Sequence, residues 1–239
     1  MLKLRSNTPE LMDDLTLSGE ELQENLEELE VINNWLGGYQ VVLQSLDKII
    51  SRYNPLPKPL RIADIGCGAG DTLRSIAKWA RRKRIQTQLT GIDANDFMVQ
   101  YARHNCSAFE EVAIVQHDVF SERFSRVKYD VLVCSLFCHH FTDAQLVQMF
   151  RQLHSQASIA VIINDLHRHW FAYYSIKFIT AIFSGSRLVK NDAPLSVMRA
   201  FKRHELENLL HQAGISNYTL RWMWAFRWQL VMYKTEAGM

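Results

Sequence analysis

Arg61-Ile-Ala-Asp-Ile-Gly-Cys-Gly-Ala-Gly-Asp71 is the stretch that decides how this sequence folds. An apolar run feeds three glycines at alternate positions, Gly66, Gly68 and Gly70. The chain then passes directly into a stretch in which Leu73, Ile76, Ala77 and Ala80 share one helical face. The reading is strand, tight turn, helix. Glycine lets the backbone turn sharply there and lets a ligand approach main-chain N–H groups at a helix N-terminus. A dinucleotide fingerprint would place its third glycine three residues after the second, at position 71, and that position holds Asp71. Taken alone, a glycine loop is a weak signal, and a strand-to-helix turn without a ligand is its plain alternative.

Working outward, short apolar runs alternate with longer helical stretches, the pattern of βαβ units on a parallel sheet. Strands are predicted over 60–65, 88–92, 112–116, 130–134 and 159–163. A helix over 201–213 is stopped by Gly214, and two late strands near 218–222 and 227–233 complete the sheet. The fold class is therefore α/β, with a doubly wound, mostly parallel sheet of seven strands. Arg81 to Arg84 load the C-terminal end of the first helix with charge that complements its dipole.

Upstream, 19–53 reads as helix, with Leu22, Leu26, Leu29, Val31, Ile32, Trp35 and Leu36 close to one stripe and a break at Gly37-Gly38. Prolines at 55, 57 and 59 favour extended backbone, so NPLPKP reads as a joint. The organisation is a helical N-terminal extension, 1–54, as a cover for the substrate pocket, and a main domain, 55–239. The main domain carries a helical insertion after the fifth strand, 169–200. The first half of that insertion, 170–183, is strongly apolar and aromatic. It is too short to span a bilayer, and it reads as a lid over the substrate, a core helix, a dimer contact or an interfacial contact with a membrane.

The bulk numbers narrow the classes. With 27 basic and 25 acidic side chains, the formal charge of +2 gives no electrostatic reason to expect nucleic acid. The one dense basic run, Arg81-Arg82-Lys83-Arg84, is a solvated helix end. Cys67, Cys106, Cys134 and Cys138 show no framework spacing and read as reduced thiols of a cytoplasmic protein. The N-terminus turns acidic before an apolar run develops, which speaks against a signal peptide, and no run reaches the length of a membrane span. A homodimer is left open.

The second predicted strand ends in Asp93, a little over twenty residues after the loop, where a carboxylate accepts hydrogen bonds from both hydroxyls of a ribose. On its own Asp93 could be a helix cap. The third strand ends at Gln116-His-Asp-Val119, with another carboxylate at the same sheet edge and Phe120 available to pack on a flat base. DIGCGAGD, GIDAN, QHDVF and YDVLVCSLFCHHFTD together resemble the successive motifs of class I, Rossmann-like methyltransferases, over roughly residues 60–165. The resemblance implies S-adenosylmethionine as cofactor and S-adenosylhomocysteine as product. It also implies that Asp64, Gly66, Gly68 and Gly70 surround the methionine part, Asp93 holds the ribose, and Asp118 with the Val119 backbone recognises adenine. Cys67, Ala94 and Ser135 occupy the same strand ends. The further segments LEELEVINNWLGGY, NDLHRHWFAYY and NDAPLSVMRAF resemble bacterial quinone-biosynthesis-like methyltransferases found beside polyketide-synthesis enzymes. That narrower resemblance implies a phenolic or aromatic, hydrophobic acceptor.

Methyl transfer aligns a nucleophile with a sulfonium methyl group, and a phenol or carbon acid must also lose a proton. The ionisable groups expected past the fourth and fifth strands are His139 and His140, either of which serves as general base, and Asp165 and His167, which anchor the substrate or orient the base. The plain alternative for each is loop hydrogen bonding or capping. A metal site from Cys134, Cys138, His139 and His140 is not expected, because Cys134 lies in an apolar strand and adjacent histidines rarely point the same way. The reading is O-methylation of a small aromatic acceptor. Its alternatives are C-methylation of a quinone-like ring, or a non-catalytic protein that binds the cofactor.

Overall fold

The computed structural model describes residues 2–53 and 55–234. Asn54, the first residue of the expected joint, and the outermost residues of both expected domains lie outside the described residues. After a short 3-10 turn at Leu11–Asp13, the N-terminal part forms α1 (Glu20–Trp35) and α2 (Gly38–Arg52). The helices are separated where Gly37 takes a left-handed conformation, φ +66°. A Cβ at Gly38 would lie 1.8 Å from the Asn33 side-chain oxygen, so a larger residue would displace the Asn33 amide from its 2.9 Å hydrogen bond with Arg227.

The main domain then runs β1 (Leu60–Ile65), α3 (Asp71–Lys83), β2 (Thr87–Asp93), α4 (Asp96–Asn105), β3 (Val112–Gln116), α5 (Glu122–Ser125) and β4 (Tyr129–Ser135). A 3-10 turn at Cys138–His140 leads into α6 (Asp143–Gln156) and β5 (Ala157–Leu166). The insertion folds as α7 (Trp170–Phe183) and α8 (Arg187–Arg199), and the chain closes with α9 (Arg203–Ala213), β6 (Tyr218–Met223) and β7 (Arg227–Tyr233).

The strands form one seven-stranded sheet in the order β3-β2-β1-β4-β5-β7-β6, parallel except that β7 pairs antiparallel with both β5 and β6. Each predicted strand is present. From β1 the chain winds outward through β2 and β3, then returns to β4 on the other side of β1. The loops after β1 and β4 therefore diverge, and a crevice opens between them at the carboxyl ends of the strands.

Period-2 alternation splits the core in two. Leu132, Cys134, Val161 and Ile163 point to one face, against Phe124, Phe150 and Leu209. Val131, Val133 and Ile162 point to the other, against Leu73 and Ile76 of α3 and Leu46 and Ile49 of α2. Helix α2 thus shares the main core rather than standing apart from it. The aromatic helix α7 buries only Tyr173 and Thr180, while Trp170, Phe171, Tyr174, Phe178, Ile182 and Phe183 stay exposed. Among the described residues, no helix is long and apolar enough to cross a membrane.

Candidate active site

A cavity of about 470 Å³ fills the crevice, within the size range of small-molecule sites. Its floor is the glycine turn. Gly66, Gly68 and Gly70 all have positive φ (+67°, +50° and +81°). A Cβ on Gly66 would lie 2.2 Å from the Phe137 ring, whereas one on Gly68 would meet nothing within 4 Å. Gly70 serves as the left-handed N-cap of α3 and does not itself line the cavity. The other expected cofactor residues do line it, namely Asp64, Cys67, Asp93, Ala94, Asp118, Val119 and Ser135 together with Gly66 and Gly68.

Asp93 is fixed by the turn it faces, since its Oδ2 accepts from Gly68 N–H at 3.0 Å and its Oδ1 from Asn95 N–H at 3.0 Å. Each oxygen keeps a lone pair for a ligand hydroxyl. Asp118 Oδ1 accepts from Phe120 N–H (2.9 Å), and Ser135 Oγ accepts from Asn164 Nδ2 (2.8 Å). Leu136, next along the wall, holds φ +54°, a costly conformation for a branched residue and one that active sites often retain.

Asp64 is 1 % exposed and its Oδ1 has no hydrogen-bond partner. Burial first, then the neighbouring Asp71 and Asp93, push its carboxyl well above the usual range. The same burial raises Asp71 and Asp93. Three carboxyls around one cavity, with Asp64 Oδ1 and Asp71 Oδ1 both lacking a hydrogen-bond partner, fit a ligand that brings positive charge. S-adenosylmethionine carries a sulfonium and an ammonium, and a bare glycine turn is what its backbone-contacting part requires.

The chemistry side of the crevice combines two segments far apart in sequence. His140 lines the cavity, and its Nδ1 lies 2.6 Å from Asp13 Oδ1. Asp13 in turn accepts from Arg199 at 2.5 Å. Burial alone would raise the Asp13 carboxyl, but the hydrogen bonds from His140 and Arg199 outweigh it and hold it well below the usual range. An ionised carboxylate only accepts, so His140 Nδ1 carries the proton, and in the neutral ring Nε2 holds the lone pair. His139 is built the same way one layer deeper. It is 3 % exposed, with Nδ1 2.7 Å from Asp165 Oδ1 and its backbone N–H on Asp165 Oδ2 at 3.2 Å. Asp165 is also lowered, because the charge and hydrogen bond of His139 outweigh burial. His139 is not on the cavity wall.

His167 is placed elsewhere. Its ring packs edge-on against Trp228 at 5.0 Å and accepts from Trp222 Nε1 at 3.2 Å, and it does not line the cavity. The strand end that carries Asp165 inward turns His167 outward toward β6 and β7. Cys134 and Cys138 are fully buried free thiols on the β4 side of the core. Among the described residues, the groups that come within reach of one ion are instead Glu10, His139 and His140, with potential ligand atoms within 4.8 Å of one another.

The residues that sequence reading did not mark come from the N-terminal strap ahead of α1. Met12, Asp13 and Leu15 line the cavity beside Leu26, Leu29 and Asn33 of α1. The strap is pinned by Leu11 and Met12 N–H on Asp192 (2.9 and 3.0 Å) and by Asn95 Nδ2 on the Leu15 and Leu17 carbonyls (3.0 Å each). No periodicity announces such a segment. By contrast, no residue of α7 lines the cavity.

Residues 62–158 match a family described as "Methyltransferase domain". No curated protein matches the sequence. Among solved structures the fold is similar to the CMeT domain of the citrinin polyketide synthase (12% identity, 81% of this chain and 51% of that chain, TM-score 0.62). The chain thus spans about half the length of that structure. It is also similar to the plantazolicin methyltransferase BpumL in complex with S-adenosylhomocysteine (18% identity, 91% and 100%, TM-score 0.61). A third similar fold is magnesium protoporphyrin IX methyltransferase from Synechocystis PCC 6803 (19% identity, 83% and 84%, TM-score 0.53). Residues 62–158, which carry the glycine turn and Asp93, thus match a methyltransferase domain, and the chain shares the fold of methyltransferases solved with S-adenosylmethionine or S-adenosylhomocysteine bound.

Proposed function

We propose that the enzyme transfers the methyl group to an oxygen of a small, hydrophobic, aromatic or phenolic acceptor, and that His140 removes the acceptor's proton. One observation carries this reading: a ring whose tautomer Asp13 fixes, with Nε2 free to accept, stands on the wall of the same cavity as the glycine turn. When bound, the cofactor supplies an electrophilic methyl group. The protein's own part is to align the acceptor and take up its proton. Asp64 and the glycine turn hold the methionine part, Asp93 the ribose, and Asp118 with Val119 the adenine. Asp165 holds His139 rigid, which supports the turn that presents His140. Met12, Leu15, Leu26 and Leu29 offer an apolar wall suited to an aromatic ring, so residues 1–54 act as the pocket cover. Four free buried thiols are in keeping with work in the cytoplasm.

A ring carbon is the second reading, favoured by the likeness to the CMeT domain and to the CurJ carbon methyltransferase (15% identity, TM-score 0.60). Mass spectrometry and NMR of products from a panel of alkylated phenols separate oxygen from carbon attachment. His140→Ala is expected to lower kcat by about 10²–10⁴-fold while leaving cofactor affinity unchanged. Full turnover in that variant would remove His140 as base. Cofactor binding without methylation of any phenolic acceptor would favour a non-catalytic binding protein.

A further inference from the structure

Behind the cavity wall, Glu10 of the strap meets His139 and His140 of the turn after β4, with potential ligand atoms within 4.8 Å of one another. Both rings are already oriented, His139 Nδ1 by Asp165 (2.7 Å) and His140 Nδ1 by Asp13 (2.6 Å). A carboxylate on one ring nitrogen fixes the tautomer and raises the basicity of the other, which is how metal-ligating histidines are held.

Glu10 supplies the independent observation. It is 6 % exposed, its Oε2 accepts from Ser196 Oγ at 2.8 Å, and its Oε1 has no hydrogen-bond partner. Oε1 stands 3.7 Å from His139 Nε2, too far for a hydrogen bond. It is close to the roughly 3.4 Å that separates two ligands about 2.1 Å from a tetrahedral zinc ion. Arg199 does not satisfy Glu10. Its Nε is 3.6 Å from Oε1, and its N–H groups go to the carbonyls of Thr8, His139 and His140 and to Asp13. Arg5, which reaches the His139 carbonyl, is offset by Asp143. Burial pushes the Glu10 carboxyl up to about 7, so an ion bound there takes the place of a proton, while Asp13 and Asp165, both held ionised, outnumber the one guanidinium of Arg199.

We propose that Glu10, His139 and His140 form a binding site for a divalent ion of the zinc class. The ion clips the strap to the β4–α6 turn and, by occupying the His140 lone pair, switches methyl transfer off. Two imidazoles and one carboxylate are a donor set suited to zinc with a fourth position left open. The inhibitory half rests on the proposed base role of His140, and the binding half does not. Glu10 itself is not on the cavity wall.

The test uses the full chain stripped by a chelator and titrated with zinc chloride, with stoichiometry checked by elemental analysis after dialysis. One zinc per chain is expected. The affinity should fall about 10–100-fold in Asp165→Asn, at least that far in Glu10→Gln, and stay unchanged in the surface control His211→Ala. Retained S-adenosylmethionine binding shows that each variant is folded, and Glu10→Ala serves if Glu10→Gln is not. Methyl transfer should be zinc-sensitive in the parent and insensitive in Glu10→Gln. Zinc bound at this site without inhibition would support the site and overturn the switch. No binding, or equal binding in parent and Glu10 variants, would overturn the site.

Discussion

Gly66 and Gly68 stand two residues apart in the same turn and are expected to fail differently. At Gly66 an alanine would have to hold φ +67° and drive its Cβ into the Phe137 ring, so Gly66→Ala should cost about 1–3 kcal/mol of stability. At Gly68 the added methyl meets no protein atom within 4 Å. Gly68→Ala should therefore melt closer to the parent while losing cofactor affinity. Thermal denaturation and calorimetry on the pair read this directly, and equal melting points would refute the steric account. Asp93→Ala should weaken cofactor binding by about 1.5–3 kcal/mol through the loss of hydrogen bonds to a charged group. The turn and Asp93 were legible in the sequence because their roles follow from one strand and its next few residues. Asp13 was not, because its partner His140 lies 127 positions away and only the tertiary fold joins them. His167 looked equivalent to Asp165 in sequence, yet two residues further along the chain leaves the sheet.

Among the elements, the junction between β5 and α9 depends on an ion pair. The fully buried Arg168 donates to Glu205 Oε1 at 2.5 Å and Oε2 at 3.0 Å, and also reaches the Ala200 carbonyl. Burial pushes the Glu205 carboxyl up, but the Arg168 hydrogen bond, backed by backbone and charge, pulls it net below its ordinary 4.5. A depressed carboxylate contributes stability above its unfolded pKa, and that contribution is lost as pH falls through the folded value. The protein should therefore lose stability on acidification below about 4.5. Glu205→Gln should cost about 3 kcal/mol at neutral pH, because it strands a buried guanidinium, and should flatten that acid slope. Chemical denaturation at several pH values checks both, and an unchanged slope would assign the acid sensitivity to other groups. The strands were legible to within a few residues at each end, since short apolar runs rich in β-branched residues, set between longer helical stretches, read as buried strands by their length and alternation with helices. The destination of α7 was not. An apolar aromatic helix reads alike as lid, core or contact surface, and in the structure it stays on the outside while α8 lies against the strap.

At the scale of the whole molecule, the strand order places the cofactor turn and the His139-His140 turn on either side of one crevice, and the strap closes it from above. Sheet and crevice follow from the alternation of strands and helices, and the methyltransferase-domain match over 62–158 spans the motifs at three strand ends. The acceptor does not, because its pocket draws on segments without periodicity. The central claim is that this crevice is built for a charged sulfonium nucleoside rather than a dinucleotide, with Asp71 where a third glycine would stand. Calorimetric titration with S-adenosylmethionine, S-adenosylhomocysteine and NAD tests it most directly. The account predicts saturable binding of the first two and none of NAD; binding of NAD alone, or of none of the three, would contradict it.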